Sequence, residues 1–167
     1  QYAYIGRQPV LDYAKEGATV LLNSPFTPEE TWKRFPREWQ EEIIAKKLHV
    51  YVIDASKVAA DSGMRGRTNT VLQACFFALA GVLPKDEAIA QIKKSIQKTY
   101  AKKGDDVVQM NFKAVDSSLA NLHEIVVPAT VDADAKPVEV PTYEGAPEFF
   151  KKVQAMMIAN KGDLIPT

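Results

Sequence analysis

Two arginines that alternate with glycines could form an anion-binding loop. Arg65 and Arg67 lie in the run GMRGRTNT at residues 63–70, just before an apolar segment at residues 71–82. We expect that segment to be a helix, and the first amides of a helix lack intrahelical partners and carry the positive end of its dipole. Guanidinium groups beside them would strengthen an existing preference for phosphate or carboxylate. A predicted strand at residues 48–53 would put this loop near the carboxyl edge of a sheet, where open α/β sheets bind ligands.

A purely structural interpretation of the same loop is also open. Gly63 and Gly66 could serve only to let one backbone segment pass close to another, because glycine has no Cβ. Arg65 and Arg67 would then be solvated surface residues, as most arginines are. The spacing alone does not decide between an anion site and a packing device.

Asn23 and Ser24 follow a second apolar run, at residues 18–22, which has the composition of a buried strand. At the end of a parallel strand they would face the same edge as residues 63–69, where they could donate to a cofactor. They could equally be turn and capping residues, since both side chains bond readily to nearby backbone.

The composition fits one globular domain without a general affinity for polyanions. The 167 residues are 46% hydrophobic, and 21 Lys and Arg balance 21 Asp and Glu. That length can bury a core, and the charge balance favours neither nucleic acid nor an anionic membrane as a partner. No apolar run approaches the roughly 20 residues that cross a bilayer. We therefore expect no nucleic-acid or membrane partner, and any anion site must be local.

The single cysteine, Cys75, excludes an internal disulfide. One thiolate cannot hold an iron–sulfur cluster or a structural zinc site, and the apolar neighbours of Cys75 indicate a buried small hydrophobic residue. His49 and His123 are too isolated to make a metal site. We predict no catalytic residue and no metal ligand in this chain. The cysteine usage suits a reducing interior compartment.

The remaining pattern predicts an α/β fold with a small, mostly parallel sheet and helices on both faces. Thr27 to Glu30 combine a capping hydroxyl, a first-turn proline and a glutamate three residues after the cap, and Pro36 should kink or divide the helix that follows. Further helices are expected at residues 10–16, at residues 71–82, from Pro84 onwards and at residues 105–122. Prolines among small and acidic residues predict an extended linker at 127–147, followed by a short helix at 147–160.

A long ordered set of segments carries a family resemblance. The GMRGRTNT run opens an apolar helix, and the segments GVLP, AIAQIKKSIQKTY, KKG and VVQMNFKAVD follow in that order between residues 81 and 116. This series resembles the third, or gamma, domain of pyruvate:ferredoxin (flavodoxin) oxidoreductase, and the similarity extends over nearly the whole chain. Met64 and Arg65 depart from the small or apolar residues expected at that place in relatives.

The resemblance implies a gamma-domain-like three-layer sandwich within a multidomain enzyme. Residues 1–126 would be a partial gamma-type domain, because an earlier strand and a glycine-rich turn precede this point in the family. Residues 127–147 would be a linker, and residues 148–167 a short helix leading toward a ferredoxin-like domain.

The same resemblance implies an activity that this chain alone would not have. The whole enzyme converts pyruvate and coenzyme A to acetyl-CoA and CO2 with thiamine diphosphate, Mg²⁺ and [4Fe-4S] clusters, works as a homodimer, and passes electrons to ferredoxin or flavodoxin. This domain would pack by the thiamine site and assist access of coenzyme A. The residues expected at the coenzyme A approach or a domain interface are Gly63, Arg65, Gly66, Arg67, Asn69, Asn23 and Ser24.

A stand-alone α/β module for nucleotide binding or assembly is the alternative that composition alone permits. It would have no catalysis of its own. A dinucleotide site of the Rossmann type has no direct support, because the glycine-rich G-x-G-x-x-G fingerprint is absent from the sequence.

Overall fold

Two parallel strands form the centre of the computed structural model, which describes residues 10–138, 143–158 and 165. Strand β1 (Thr19–Asn23) pairs with β2 (His49–Ile53) in register from Thr19 opposite His49 to Asn23 opposite Ile53. A two-residue strand, β3 (His123–Glu124), pairs antiparallel with β2 on its other side. The two predicted strands are confirmed within one residue at each end. β3 was not predicted, and it makes the three-stranded sheet mixed.

Two helices cover one face of the sheet. α1 (Pro28–Lys33) and α2 (Arg37–Ala45) are joined by a turn at Pro36, so the predicted division is confirmed. Their buried aromatic side chains pack on alternate strand residues, which face one side of a sheet together. This first core comprises Leu11, Leu22, Trp32, Phe35, Trp39, Ile43, Leu48, Val50, Val52 and Ile125.

The start of α1 is the predicted capping box. The Thr27 hydroxyl accepts a hydrogen bond from the Glu30 amide at 3.2 Å, and the Glu30 carboxylate accepts one from the Thr27 amide at 3.2 Å. Each bond satisfies an amide that the helix itself leaves unpaired. The helix expected at residues 10–16 is shorter, a 3₁₀ turn at Val10–Tyr13.

The opposite face carries α3 (Ala55–Asp61), α4 (Asn69–Ala80) and α6 (Asp105–Ala120), with α5 (Lys85–Tyr100) packed outside α4 and α6. A second core lies between the sheet and this layer, and a third core lies among α4, α5 and α6. Sheet and helix layers therefore form the expected three-layer α/β arrangement. α3 was not predicted, because seven residues are too few to display a helical period.

Cys75 lies in the second core with no exposed surface. Its thiol is 3.9 Å from the carbonyl oxygen of Ser118, which makes at most a weak hydrogen bond. Burial raises the pKa of Cys75 to about 11. The prediction of a buried small hydrophobic residue is confirmed.

The segment after β3 is irregular and attached to α2. The backbone amide of Arg37 donates to the carbonyl of Lys136 at 2.9 Å, and the side chain of Gln40 accepts from the amide of Asp132 at 2.9 Å. Gln40 is fully buried and also donates to the carbonyl of Trp32 at 3.0 Å. One glutamine therefore fixes both the α1–α2 turn and the later segment. The predicted linker at 127–147 has no regular structure over residues 127–138, and residues 139–142 lie outside the described part.

The described end of the chain is helical at residues 148–158, with a π-helical turn at Phe150–Gln154 followed by α7 (Ala155–Ile158). The last two residues of the helix expected at 147–160 lie outside the described residues. None of the helices in the described part is both long and apolar enough to cross a membrane. The division of the chain into three parts stays a prediction.

The bonds of Gln40 predict a specific loss of stability. Replacing Gln40 by Met keeps the volume but leaves the Asp132 amide without the Gln40 oxygen and removes the Gln40 bond to the Trp32 carbonyl, which keeps its bond from the Phe35 amide. The variant should lose about 1–3 kcal/mol of unfolding free energy. Urea denaturation of the 167-residue chain measures this. The control Gln97→Met, on the exposed side of α5, should change stability by no more than about 0.5 kcal/mol. Equal losses in the two variants would show that the bonds of Gln40 do not matter.

The raised pKa of Cys75 predicts an alkaline loss of stability. The folded chain holds the thiol proton more tightly than the unfolded chain, whose ordinary value is near 9.0. The stabilisation is therefore complete below about pH 9 and is lost as the pH rises toward about 11. Between pH 8 and pH 11, wild type should lose roughly 2–3 kcal/mol more than Cys75→Ala. Parallel stability curves for the two proteins would contradict a buried, protonated thiol.

Candidate functional site

Gly63 closes α3 rather than opening α4. Its amide donates to the carbonyl of Ala60 at 3.0 Å, and the amide of Met64 donates to the carbonyl of Ala59 at 2.7 Å. This pair of bonds is the Schellman motif, which needs a left-handed residue at the position of Gly63, and its φ is +80°. A Cβ added there would also lie 3.0 Å from the sulfur of Met110. Both facts explain why a glycine stands at this position.

The two arginines lie on a tight turn that follows this closure. The amide of Arg67 donates to the carbonyl of Met64 at 2.9 Å, with Gly66 at the third turn position and a φ of +82°. That positive φ is what a type II turn requires. Met64 is buried and anchors the turn in the second core, whereas Arg65 and Arg67 are exposed. Within the described residues neither guanidinium forms an ion pair.

The beginning of α4 is held by a buried polar contact. The hydroxyl of Thr70 donates to the side-chain oxygen of Asn111 at 3.1 Å, and Asn111 in turn donates to the carbonyl of Val107 at 2.7 Å. This contact fixes the first turn of α4 against α6. In the described part of the chain no side chain caps this helix start, and Asn69 is exposed there. The first-turn amides of α4 therefore remain available as donors next to the arginine turn.

Asn23 and Ser24 lie at the other end of α3, where their side chains support the fold. The side-chain oxygen of Asn23 accepts from the amide of Ala55 at 3.0 Å, which fixes the first residue of α3. Ser24 is fully buried, and its hydroxyl is 2.8 Å from that of Thr31 and accepts from the amide of Phe26 at 3.2 Å.

α3 separates the two groups of predicted site residues. It begins beside Asn23 at the carboxyl ends of the strands and ends at Asp61, just before the glycine and arginine turn. Seven helical residues span about 10 Å. The expectation that residues 63–69 share the strand edge with Asn23 and Ser24 stays a prediction. Gly63, Arg65, Gly66, Arg67 and Asn69 lie on the segment from the end of α3 to the start of α4, whereas Asn23 and Ser24 bond to residues at the start of α3 and the end of β2.

Two neighbours of this loop were not found from the sequence. The ammonium group of Lys113, on α6, donates to the carbonyl of Asp61 at 2.9 Å and adds a third cation near the turn. Ser62 is 97% buried, and its hydroxyl has no hydrogen-bond partner among the described residues. Lys113 is about 50 residues away in sequence from the loop it contacts, so no local pattern could reveal it.

The chemistry that this loop can perform is binding. Residues 62–70 contain no carboxylate, imidazole or thiol that could transfer a proton or attack a substrate. Two exposed guanidinium groups and unpaired amides attract phosphate or carboxylate. Among the described residues no cluster of three His, Cys, Asp or Glu side chains could hold a metal ion.

A surface cavity of about 500 Å³ lies away from the arginine turn, near the amino end of β2. None of the predicted site residues contributes to its wall. His49 and Glu124 contribute the Nδ1 and Oε1 atoms of a 3.2 Å contact at its rim. Burial, together with a hydrogen bond from Tyr51 to Glu124 and the charge of that carboxylate, raises the pKa of Tyr51. The rest of the wall is largely apolar: Ile43, Ile44, Leu48, Ile125, Val126, Val127 and Pro128, with Lys47.

Comparison with known proteins shows similar sequences over almost all of the chain. A "Putative pyruvate-flavodoxin oxidoreductase" of Synechocystis is 52% identical over 166 residues, which are 99% of this chain and 14% of that protein. A "Pyruvate:ferredoxin oxidoreductase" of Moorella thermoacetica is 45% identical over 98% of this chain and 14% of that protein. A "Pyruvate dehydrogenase [NADP(+)], mitochondrial" of Euglena gracilis is 38% identical over 98% of this chain and 9% of that protein.

These relatives are much longer than the region they share with this chain, which spans 14% of the length of the first two. The family described as "Pyruvate ferredoxin/flavodoxin oxidoreductase" matches residues 3–120. That match covers the parallel strands β1 and β2, the arginine turn and helices α1 to α6. The chain belongs to the pyruvate ferredoxin/flavodoxin oxidoreductase family.

Proposed function

We propose that this chain is the gamma-type domain of an enzyme that oxidatively decarboxylates pyruvate to acetyl-CoA and CO2. The names of the relatives support pyruvate as the substrate, because all three contain it. In this proposal the whole enzyme uses thiamine diphosphate, Mg²⁺, coenzyme A and [4Fe-4S] clusters and works as a homodimer in the cytoplasm or a comparable organelle. This domain packs by the thiamine site and assists access of coenzyme A.

The side chains of this chain do not fit the redox cofactors of that reaction. Cys75 is its one cysteine, it is fully buried, and its pKa is raised to about 11, so it is not a thiolate ligand. An iron–sulfur cluster needs several thiolates from the protein. We therefore assign the clusters and the thiamine diphosphate to other parts of the full-length enzyme, and no catalytic step to residues of this chain.

The arginine turn supports the assignment of coenzyme A access to this chain. Coenzyme A carries a pyrophosphate and a ribose phosphate, and guanidinium groups bind phosphate through paired, charge-assisted hydrogen bonds. Arg65 and Arg67 are exposed and have no ion-pair partner in the described part of the chain. The backbone beneath them is held by Gly63, Gly66 and buried Met64, so the backbone of the turn needs little further ordering when an anion binds.

The seven predicted residues have different roles in the proposed coenzyme A site. Arg67 and Arg65 would contact phosphate, and Asn69 would offer its amide at the start of α4. Gly63 and Gly66 would shape the turn. Asn23 and Ser24 would act indirectly, because their side-chain oxygens hold backbone groups at the start of α3 and in the β1–α1 turn.

The electron acceptor is decided outside this chain in our proposal. Relatives that share this stretch are named for flavodoxin, for ferredoxin and for NADP⁺. Because similar sequences occur with three acceptor names, residues of this domain do not select among them. We propose ferredoxin or flavodoxin for the protein that carries this chain, because two of the three relatives named above are named for one of these acceptors.

Replacing Arg67 by Ala in the full-length enzyme should raise the KM for coenzyme A about tenfold, since a hydrogen bond to a charged group contributes about 1.5–3 kcal/mol. The KM for pyruvate should stay within about twofold. Steady-state assays with each substrate varied in turn measure both values. Lys98→Ala, which removes an exposed charge from α5, is the matched control. Equal kinetic losses for both substrates in Arg67→Ala would indicate a structural role for Arg67.

The 167-residue chain by itself should neither bind thiamine diphosphate nor decarboxylate pyruvate. Isothermal titration with thiamine diphosphate and Mg²⁺, together with an assay of CO2 release, tests both statements. A saturable titration or sustained CO2 release would refute the assignment of this chemistry to other parts of the enzyme.

A further inference from the structure

Helix α4 has an unusual composition for a helix near a protein surface. From Asn69 to Pro84 the sequence NTVLQACFFALAGVLP contains no Asp, Glu, Lys, Arg or His. A surface helix ordinarily has a polar stripe opposite its apolar one, and a helix that is apolar on all sides is ordinarily buried on all sides. Apart from Asn69 and Thr70 in its first turn and the exposed Gln73, α4 has no polar side chain, so its composition predicts cover around most of its circumference.

The described residues cover only part of that circumference. Val71, Ala74 and Cys75 are at most 2% exposed, because they face the second and third cores. Phe77 is half-buried against α5, and its ring lies 5.4 Å from the ring of Phe76 in an edge-to-face arrangement. Phe76 itself is 58% exposed. One side of the helix thus keeps a large aromatic ring in contact with solvent.

The exposure continues past the end of the helix. α4 ends at Gly81 in a left-handed conformation, and the next two residues, Val82 and Leu83, are 75% and 39% exposed. Three large exposed apolar side chains therefore occur within eight residues of chain. A cluster of this kind is typical of a protein interface, whereas single exposed apolar residues are ordinary.

We propose that Phe76, Val82 and Leu83 form an interface with an apolar surface from another part of the same full-length polypeptide. The relatives supply the reason for this occupant, since the shared stretch is only 14% of their length. A segment of the same polypeptide has a high effective concentration near this surface. It therefore binds there in preference to a separate molecule with similar contacts. The occupant must be apolar, because residues 69–84 offer no charge to pair with one. This inference depends on family membership and not on coenzyme A binding.

Site-specific photocrosslinking of the full-length protein tests the proposal. The photoreactive residue p-benzoylphenylalanine replaces Phe76 in one variant and Val82 in a second, which keeps the test valid if one position does not tolerate it. Lys94, exposed on α5 among charged residues, takes the same probe as the control. After irradiation, peptide mass spectrometry identifies the residues joined to each probe.

We expect the probes at positions 76 and 82 to join peptides of the same polypeptide that lie outside these 167 residues, without a change in the mass of the denatured chain. The yield should be at least fivefold above that of the Lys94 probe. A product of doubled mass would overturn the proposal in favour of a second copy. A product with an unrelated protein, crosslinks only within these 167 residues, or a yield equal to the control would also overturn it.

Discussion

Parallel pairing of β1 with β2 is the constraint on which the other contacts depend. Parallel strands cannot be joined by a tight turn, so the chain must cross over the sheet between them. α1 and α2 make that crossover, and their aromatic side chains fill the face presented by Leu22, Val50 and Val52. The alternation of side chains along each strand sends Leu21 and Ile53 to the opposite face, where α3, α4 and α6 must cover them. The pairing of five residues of β1 with five of β2 therefore requires a helix layer on each face of the sheet.

α3 determines where the arginine turn lies. Asn23 holds its first amide, Asp54 accepts from the amide of Lys57 at 2.9 Å, and the Schellman bonds around Gly63 close its other end. Because both ends are fixed, the turn that carries Arg65 and Arg67 has a fixed distance from the strand ends. In the proposed anion site, the binding groups would be the exposed guanidinium groups of this turn and the first amides of α4.

The sequence predicts features whose causes are local. The capping box at Thr27, the division at Pro36, the two long strands and the burial of Cys75 each depend on residues within a few positions, and all are confirmed. β3 was not predicted because two residues are too few to show the alternating pattern of a strand. They form a strand only by pairing with β2. Gly63 was assigned to the start of α4, since α3 was too short to recognise and a Schellman glycine is defined by the helix before it. Gln40 and Lys113 bond to residues 92 and 52 positions away, so no window of sequence contains both partners.

The two proposals concern different parts of α4, the first its start and the second Phe76 together with the residues after the helix, which allows them to be tested separately. Its start lies beside two exposed cations, and its end is apolar and leads into Val82 and Leu83. Twelve helical residues span about 18 Å, so Val82 and Leu83 follow the end of α4 that is far from the arginine turn. The helix between them is anchored by Thr70 on Asn111 and by Val71 and Cys75 in the second core. A helix anchored in this way would move as a rigid body. A displacement of the surface that covers Phe76 would therefore also displace the arginine turn. If a variant with a disrupted apolar interface kept its stability but lost affinity for coenzyme A, the two sites would be mechanically coupled along α4. Unchanged affinity would show that the two sites act independently.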